Sequence, residues 1–132
     1  MSGFLDANIL IRYFTNEPPH LADRAAQIID HTDDLWVTDV ALIEAAFVLT
    51  RFYQVSRQMT VDHLVAFVQK ANISVYGMDK GLVLQALLLC RPSGRVSFAD
   101  AMVWAAAHQS GKGVVYSLDA RFPKDGIEVR DR

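Results

Sequence analysis

One cysteine in 132 residues excludes an internal disulfide, so nothing in the chain asks for an oxidising compartment. Cys90 lies in the apolar run Leu87-Leu88-Leu89-Cys90 and reads as a small core residue. Histidine is sparse and scattered, at His20, His31, His63 and His108, and with a single cysteine this excludes a structural zinc site. Long hydrophobic runs are missing too. The apolar stretch near the N-terminus is broken by Asp6 and Arg12, so neither a signal peptide nor a membrane span is expected, and the expected setting is cytoplasmic. An excess of basic residues is also absent. A formal charge of −2 argues against a broad basic face for nucleic acid, but it is compatible with an enzyme whose metal-binding carboxylates supply the negative count. What remains is a chain with 52% hydrophobic and 21% charged residues, the balance of one globular domain over residues 1–132.

Periodicity and turn residues divide the chain into alternating elements. Gly3 to Leu5 is extended, and Asn8 to Phe14 is helical until Asn16-Glu17-Pro18-Pro19 breaks it. A helix is predicted from His20 to Asp30, a buried strand over Leu35 to Thr38, and a helix from Asp39 to Tyr53 capped by Thr38 or Asp39. Thr60 is predicted to open a helix over Val61 to Ala71, followed by a strand over Ile73 to Tyr76. Asp79 to Cys90 and Ser97 to His108 are two further helices, and Val114 to Tyr116 and Ile127 to Val129 the last strands. Strand and helix in alternation predict a parallel sheet with helices on both faces.

Most acids in this frame are turn, cap or terminal residues, and four others can be read further. Asp6 falls where the first strand gives way to a helix, the edge at which open α/β sheets collect catalytic groups, although an Asp or Asn there is also an ordinary cap. Glu44 has Val40, Phe47 and Val48 at helical spacing and interrupts an apolar stripe. Asp100 is the only charge between Phe98 and Ala107, and Ser97-Phe98-Ala99-Asp100 also fits a helix-capping pattern. Asp119 follows a strand, as Asp6 does, and alone it would pass as a turn aspartate. If the four meet at one sheet edge, their mutual repulsion calls for a shared divalent cation, and all-oxygen ligands favour magnesium or manganese over zinc.

In order and spacing these residues resemble the PIN-domain nucleases. The likeness runs from Asp6-Ala7-Asn8 through Glu44 and Asp100 to Ser117-Leu118-Asp119 and Phe122, nearly the whole chain, and chain length is similar to the small VapC branch, the toxins of toxin–antitoxin pairs. The resemblance implies a three-layer α/β/α sandwich around a short, mostly parallel sheet of four or five strands. It implies a magnesium- or manganese-dependent endoribonuclease, the toxin of a type II pair, held inactive by a cognate antitoxin protein. The family's acidic quartet carries over to Asp6, Glu44, Asp100 and Asp119, with Asn8 bracing the first loop and Ser117 orienting ligands through its hydroxyl. Three positions depart from the pattern: Ala7 and Ser117 each stand where threonine is usual, and Arg121 stands where many relatives carry another acid, which implies a weaker second metal site.

Candidates for contact with RNA phosphates are Arg12, Arg91, Arg95 and Arg121, with Arg51, Arg57 and Lys112 as further basic residues. The surplus of apolar residues in the helices Asp39–Tyr53 and Val61–Ala71, together with pairing among the relatives, leads us to expect a homodimer. A haloacid-dehalogenase-type phosphotransferase would need an acid where Asn8 stands, and a receiver domain would need a lysine after the strand that Lys112 precedes. The alternatives retained are a non-catalytic PIN-type module that binds RNA or protein, and a stand-alone RNA-processing nuclease.

Overall fold

The turn and cap signals place the elements almost as predicted. In the computed structural model, which describes residues 2–132, the order is β1 (Ser2–Phe4), α1 (Ala7–Thr15), α2 (Pro19–His31), β2 (Asp34–Val37), α3 (Asp39–Arg51) and α4 (Arg57–Val68). It continues with β3 (Ile73–Val75), α5 (Lys80–Leu89), α6 (Phe98–Ser110), β4 (Val114–Tyr116) and β5 (Glu128–Arg130). Side chains close the first turn of four helices. Thr38 accepts from Ala41 N–H, Ser56 from Met59, Asp79 from Gly81 and Ser97 from Asp100. α6 ends at Gly111, whose φ of 75° is the left-handed conformation that favours glycine at this position.

α4 begins earlier than predicted, at the Ser56 cap, and ends at Val68 rather than Ala71. Its first turn is polar and carries an exposed Met59, so the apolar run after Thr60 misplaces the start. Thr60 instead sits inside the helix, 0% exposed, and its hydroxyl has no hydrogen-bond partner among the described residues. A buried unpaired hydroxyl is costly, so Thr60→Val, similar in shape and without the polar atom, is expected to raise stability by about 1 kcal/mol. Thermal unfolding checks this, and a clear loss of stability would show that Thr60 does find a partner.

All strand pairs are parallel. β1 pairs with β2 and β2 with β3, while β4 and β5 form a separate ladder. The five strands among the described residues thus form two ladders of three and two, where a single sheet of four or five was expected. Strands of three or four residues carry few main-chain groups with which to bridge the two. The fold remains the predicted α/β sandwich of helices around short parallel strands.

Register explains how the three-stranded sheet divides its faces. Leu35 pairs with Ile73 and Val37 with Val75, and all four are buried in the main core with Leu42, Leu64, Phe67 and Val83. The opposite face carries Phe4 and Trp36, paired across β1 and β2, with Tyr76 just past β3. Their rings form a triangle with centroids 5.3 to 6.4 Å apart, and Phe4 and Tyr76 remain exposed. No helix among the described residues is long and apolar enough to cross a membrane.

Candidate active site

Asp6 occupies the N-cap position of α1, immediately past β1, and its side chain caps nothing. It is exposed and, among the described residues, makes no hydrogen bond or ion pair. A cap residue normally spends its carboxylate on the helix's first N–H groups, so Asp6 keeps both oxygens free. Asn8 is exposed in the first turn of the same helix, and its side chain likewise has no partner.

Glu44 lies in the second turn of α3 and is exposed. α3 buries Leu42, Ala45, Ala46 and Leu49; of the apolar neighbours of Glu44, Val40 and Phe47 are 67% and 56% exposed, while Val48 is half-buried against the core. Most of the stripe faces solvent, and among the described residues Glu44 has no cationic partner. Arg51, two turns on, is not paired with it.

Asp100 is half-buried in the first turn of α6. Ser97 Oγ accepts its backbone N–H at 3.0 Å, so the capping pattern is used by the main chain and, among the described residues, the carboxylate is left unpartnered. Trp104, one turn on, is buried, and Val103 is exposed. α3 packs against α6. Between them a groove of about 310 Å³ is lined by Ile43, Phe47, Arg57, Phe98 and Ala99, while Glu44 and Asp100 themselves do not line it.

Asp119 is placed by its own loop. Ser117 Oγ accepts the Asp119 backbone N–H at 3.0 Å, and Asp119 Oδ1 accepts both the backbone N–H of Arg121 at 2.8 Å and its guanidinium Nε at 3.3 Å. Ser117 thus orders the loop rather than reaching away from it. The Arg121 backbone N–H, then its guanidinium, hold the Asp119 carboxyl below the usual carboxylate range. The contacts of the carboxylate stabilise the folded protein above the ordinary carboxylate pKa, and that contribution is lost as pH falls through the depressed one. Carboxyl NMR titration is expected to show Asp119 titrating low, and Arg121→Ala is expected to return it upward, though not fully, because the backbone N–H remains. An unmoved titration in the variant would remove the guanidinium from the account. Oδ2 has no partner. A hollow of about 280 Å³ beside Asp119 is also lined by Lys124 and Arg130, cations that no sequence signal singled out.

Of the arginines expected to meet RNA, three are already engaged. Arg12 donates to Glu17 O, Arg91 makes a two-point contact with Asp62 at 2.9 and 3.1 Å, and Arg121 pairs with Asp119. Arg95 is exposed and has no side-chain partner. Arg57 is a correction. It is half-buried and its guanidinium is aimed at main-chain carbonyls, not at solvent.

Each of the four acids keeps at least one free carboxylate oxygen, the donor chemistry that suits a hard divalent cation. Among the described residues, however, no three Asp, Glu, His or Cys side chains stand close enough together to hold an ion. The donor set fits such a cation, and the side-chain placement does not close a cage around it. Free carboxylates repel one another, which opposes convergence without a cation.

No curated protein sequence matches the chain. The family model of the PIN domain matches residues 3–126, from β1 to the turn before β5 and across all four acids. Members of that family are generally nucleases that use divalent metal ions. A match of that extent, on a fold of the same class, makes this chain a member of the PIN-domain family.

Proposed function

We propose that the protein is a magnesium- or manganese-dependent endoribonuclease acting as the toxin of a type II toxin–antitoxin pair, in the cytoplasm. The observation that carries the reading is the PIN-domain match across Asp6, Glu44, Asp100 and Asp119, with the carboxylates of Asp6, Glu44 and Asp100 unpartnered among the described residues. Asp6, Asp100 and Glu44 would hold the ion, with Asp119 adding its free oxygen. A bound divalent cation would polarise a phosphoryl oxygen and offset the charge that develops there during hydrolysis. Arg95 would engage backbone phosphates of the RNA, and Ser117, which fixes the Asp119 loop, would help to orient Asp119 toward the ion. Incubating purified protein with RNA and magnesium or manganese is expected to give discrete fragments. Intact RNA under every metal tried would leave the non-catalytic PIN-type binding module as the better reading. A stand-alone processing nuclease would be favoured if no short antitoxin gene adjoins this one.

Assembly follows from the apolar residues that the fold leaves outside. α4 buries Val61, Leu64, Phe67 and Val68 within its own core, so the surplus expected on both helices is concentrated on α3 and the turn after it. Val40, Phe47 and Phe52 are each more than half exposed. We propose a homodimer joined over this surface and covered further by the antitoxin on co-expression. Sedimentation at micromolar concentration is expected to give a dimer, and Phe47→Asp a monomer. A wild-type monomer at that concentration would remove the pairing surface.

A further inference from the structure

We infer that Arg57 is a positioning residue that sets where Asp100 stands, by clamping both ends of the loop that leads into its helix. The inference rests on the site proposed above. The loop Arg91–Val96 joins α5 to α6, is mostly exposed, and contains Pro92, Ser93 and Gly94. A segment of that kind does not fix the entry of α6 by itself. Arg57 is the first residue of α4. Its Nε–H donates to Cys90 O, just before the loop, and its Nη2–H donates to Val96 O, on the loop's last residue. Its Cζ lies 4.7 Å from the centroid of the Phe98 ring, the first residue of α6. One planar group therefore holds the loop's two ends and the helix start, two residues from Asp100.

Local preferences do not account for Arg57. A cation in the first turn of α4 faces the positive end of that helix's dipole, which is unfavourable. The same guanidinium reaches Cys90 O at the carboxyl end of α5, where a cation is favoured. Its placement makes sense only through partners 33 and 39 residues away. Lysine could not replace it. Holding two carbonyls while lying over a ring needs a flat fork of donors, not a single ammonium.

Cys90 supplies a reporter that does not depend on catalysis. It is the only cysteine, it is fully buried, and its Sγ lies 3.6 Å from Ser97 O inside the clamped junction. The experiment measures Cys90 labelling by a water-soluble disulfide reagent, together with kcat and KM for RNA cleavage. The proteins compared are wild type, Arg57→Lys, Arg57→Met and Val68→Ala, the last a core cavity at the far end of the same helix.

Arg57→Lys is expected to label at least about tenfold faster than wild type, the factor that losing one charge-assisted hydrogen bond gives an opening equilibrium. Its kcat is expected to fall by about tenfold to a hundredfold with KM little changed, the pattern of a displaced reacting group. Arg57→Met should do more of both, and Val68→Ala neither at temperatures below its melting. Wild-type labelling in both Arg57 variants overturns the clamp. Faster labelling with unchanged kcat overturns its role in placing Asp100, as does a Val68→Ala protein that loses as much kcat as Arg57→Lys. A wild-type protein that cleaves no RNA would overturn the proposed function, while the labelling rates would still decide the clamp.

Discussion

Asp100→Asn is expected to lose RNA cleavage by about a hundredfold or more while keeping its fold. Changing groups that merely support a metal's ligands typically costs 10- to 100-fold, about the least that removing a charged ligand should cost. The side chain can be altered cleanly because α6 does not use it. The helix cap is Ser97 Oγ on the Asp100 backbone N–H, which the asparagine variant keeps. The structural cost is the loss of an acid from a first helical turn, no more than about 1 kcal/mol. Melting temperature and far-UV circular dichroism should therefore stay close to wild type as activity disappears. Cleavage at the wild-type rate by a folded Asp100→Asn protein would remove Asp100 from the site. The same substitution at Asp6 is expected to behave alike, since that carboxylate is also free of structural duty.

Removing the metal should be as severe. Cleavage is expected to vanish in excess chelator and to return with magnesium or manganese. Calcium should occupy the site without restoring cleavage, because it prefers longer bonds and looser coordination. The number of ions should be visible in the binding curve. Asp119 gives one oxygen to Arg121, so a second ion relying on Asp119 competes with a guanidinium already in place. Titration of metal-free protein is expected to show one tighter and one weaker phase, with cleavage following the weaker. Arg121→Ala should tighten the weak phase by up to about fivefold, the ceiling that an exposed ion pair sets. A single phase that tracks activity would leave one ion, and full activity in chelator would remove the metal from the mechanism.

The legible parts of the sequence were those governed by near neighbours. Ser97, Thr38 and Asp79 act on residues two or three positions along the chain, and each caps the helix that its spacing announces. Spacing shows that Glu44 shares a side of its helix with Val40, Phe47 and Val48, not which side faces the core. α3 has apolar residues on both sides, and the inner one is Leu42, Ala45, Ala46 and Leu49. Arg57 could not be read at all. Its partners are backbone carbonyls on distant segments, and a carbonyl has no residue identity for a motif to record. The division of the strands into two ladders was hidden for a related reason, since pairing among strands this short depends on how their ends are held.

The link from β4 to β5 is a parallel crossover without a helix, where such connections are usually helical. It is held by the buried Phe122 ring, by Trp104 Nε1–H donating to Asp125 O, and by the Ser117 N–H donating to Arg130 O. With so few anchors, this segment should open on its own well before the helical core does, as a separate cooperative unit. Asp119 rides on it, so the protein's fourth acid belongs to this separately opening segment. Any cation that engages Asp119 then ties that unit to the remainder of the domain. Amide exchange over residues 117–127 should slow in proportion to occupancy, turning the backbone itself into a gauge of metal binding.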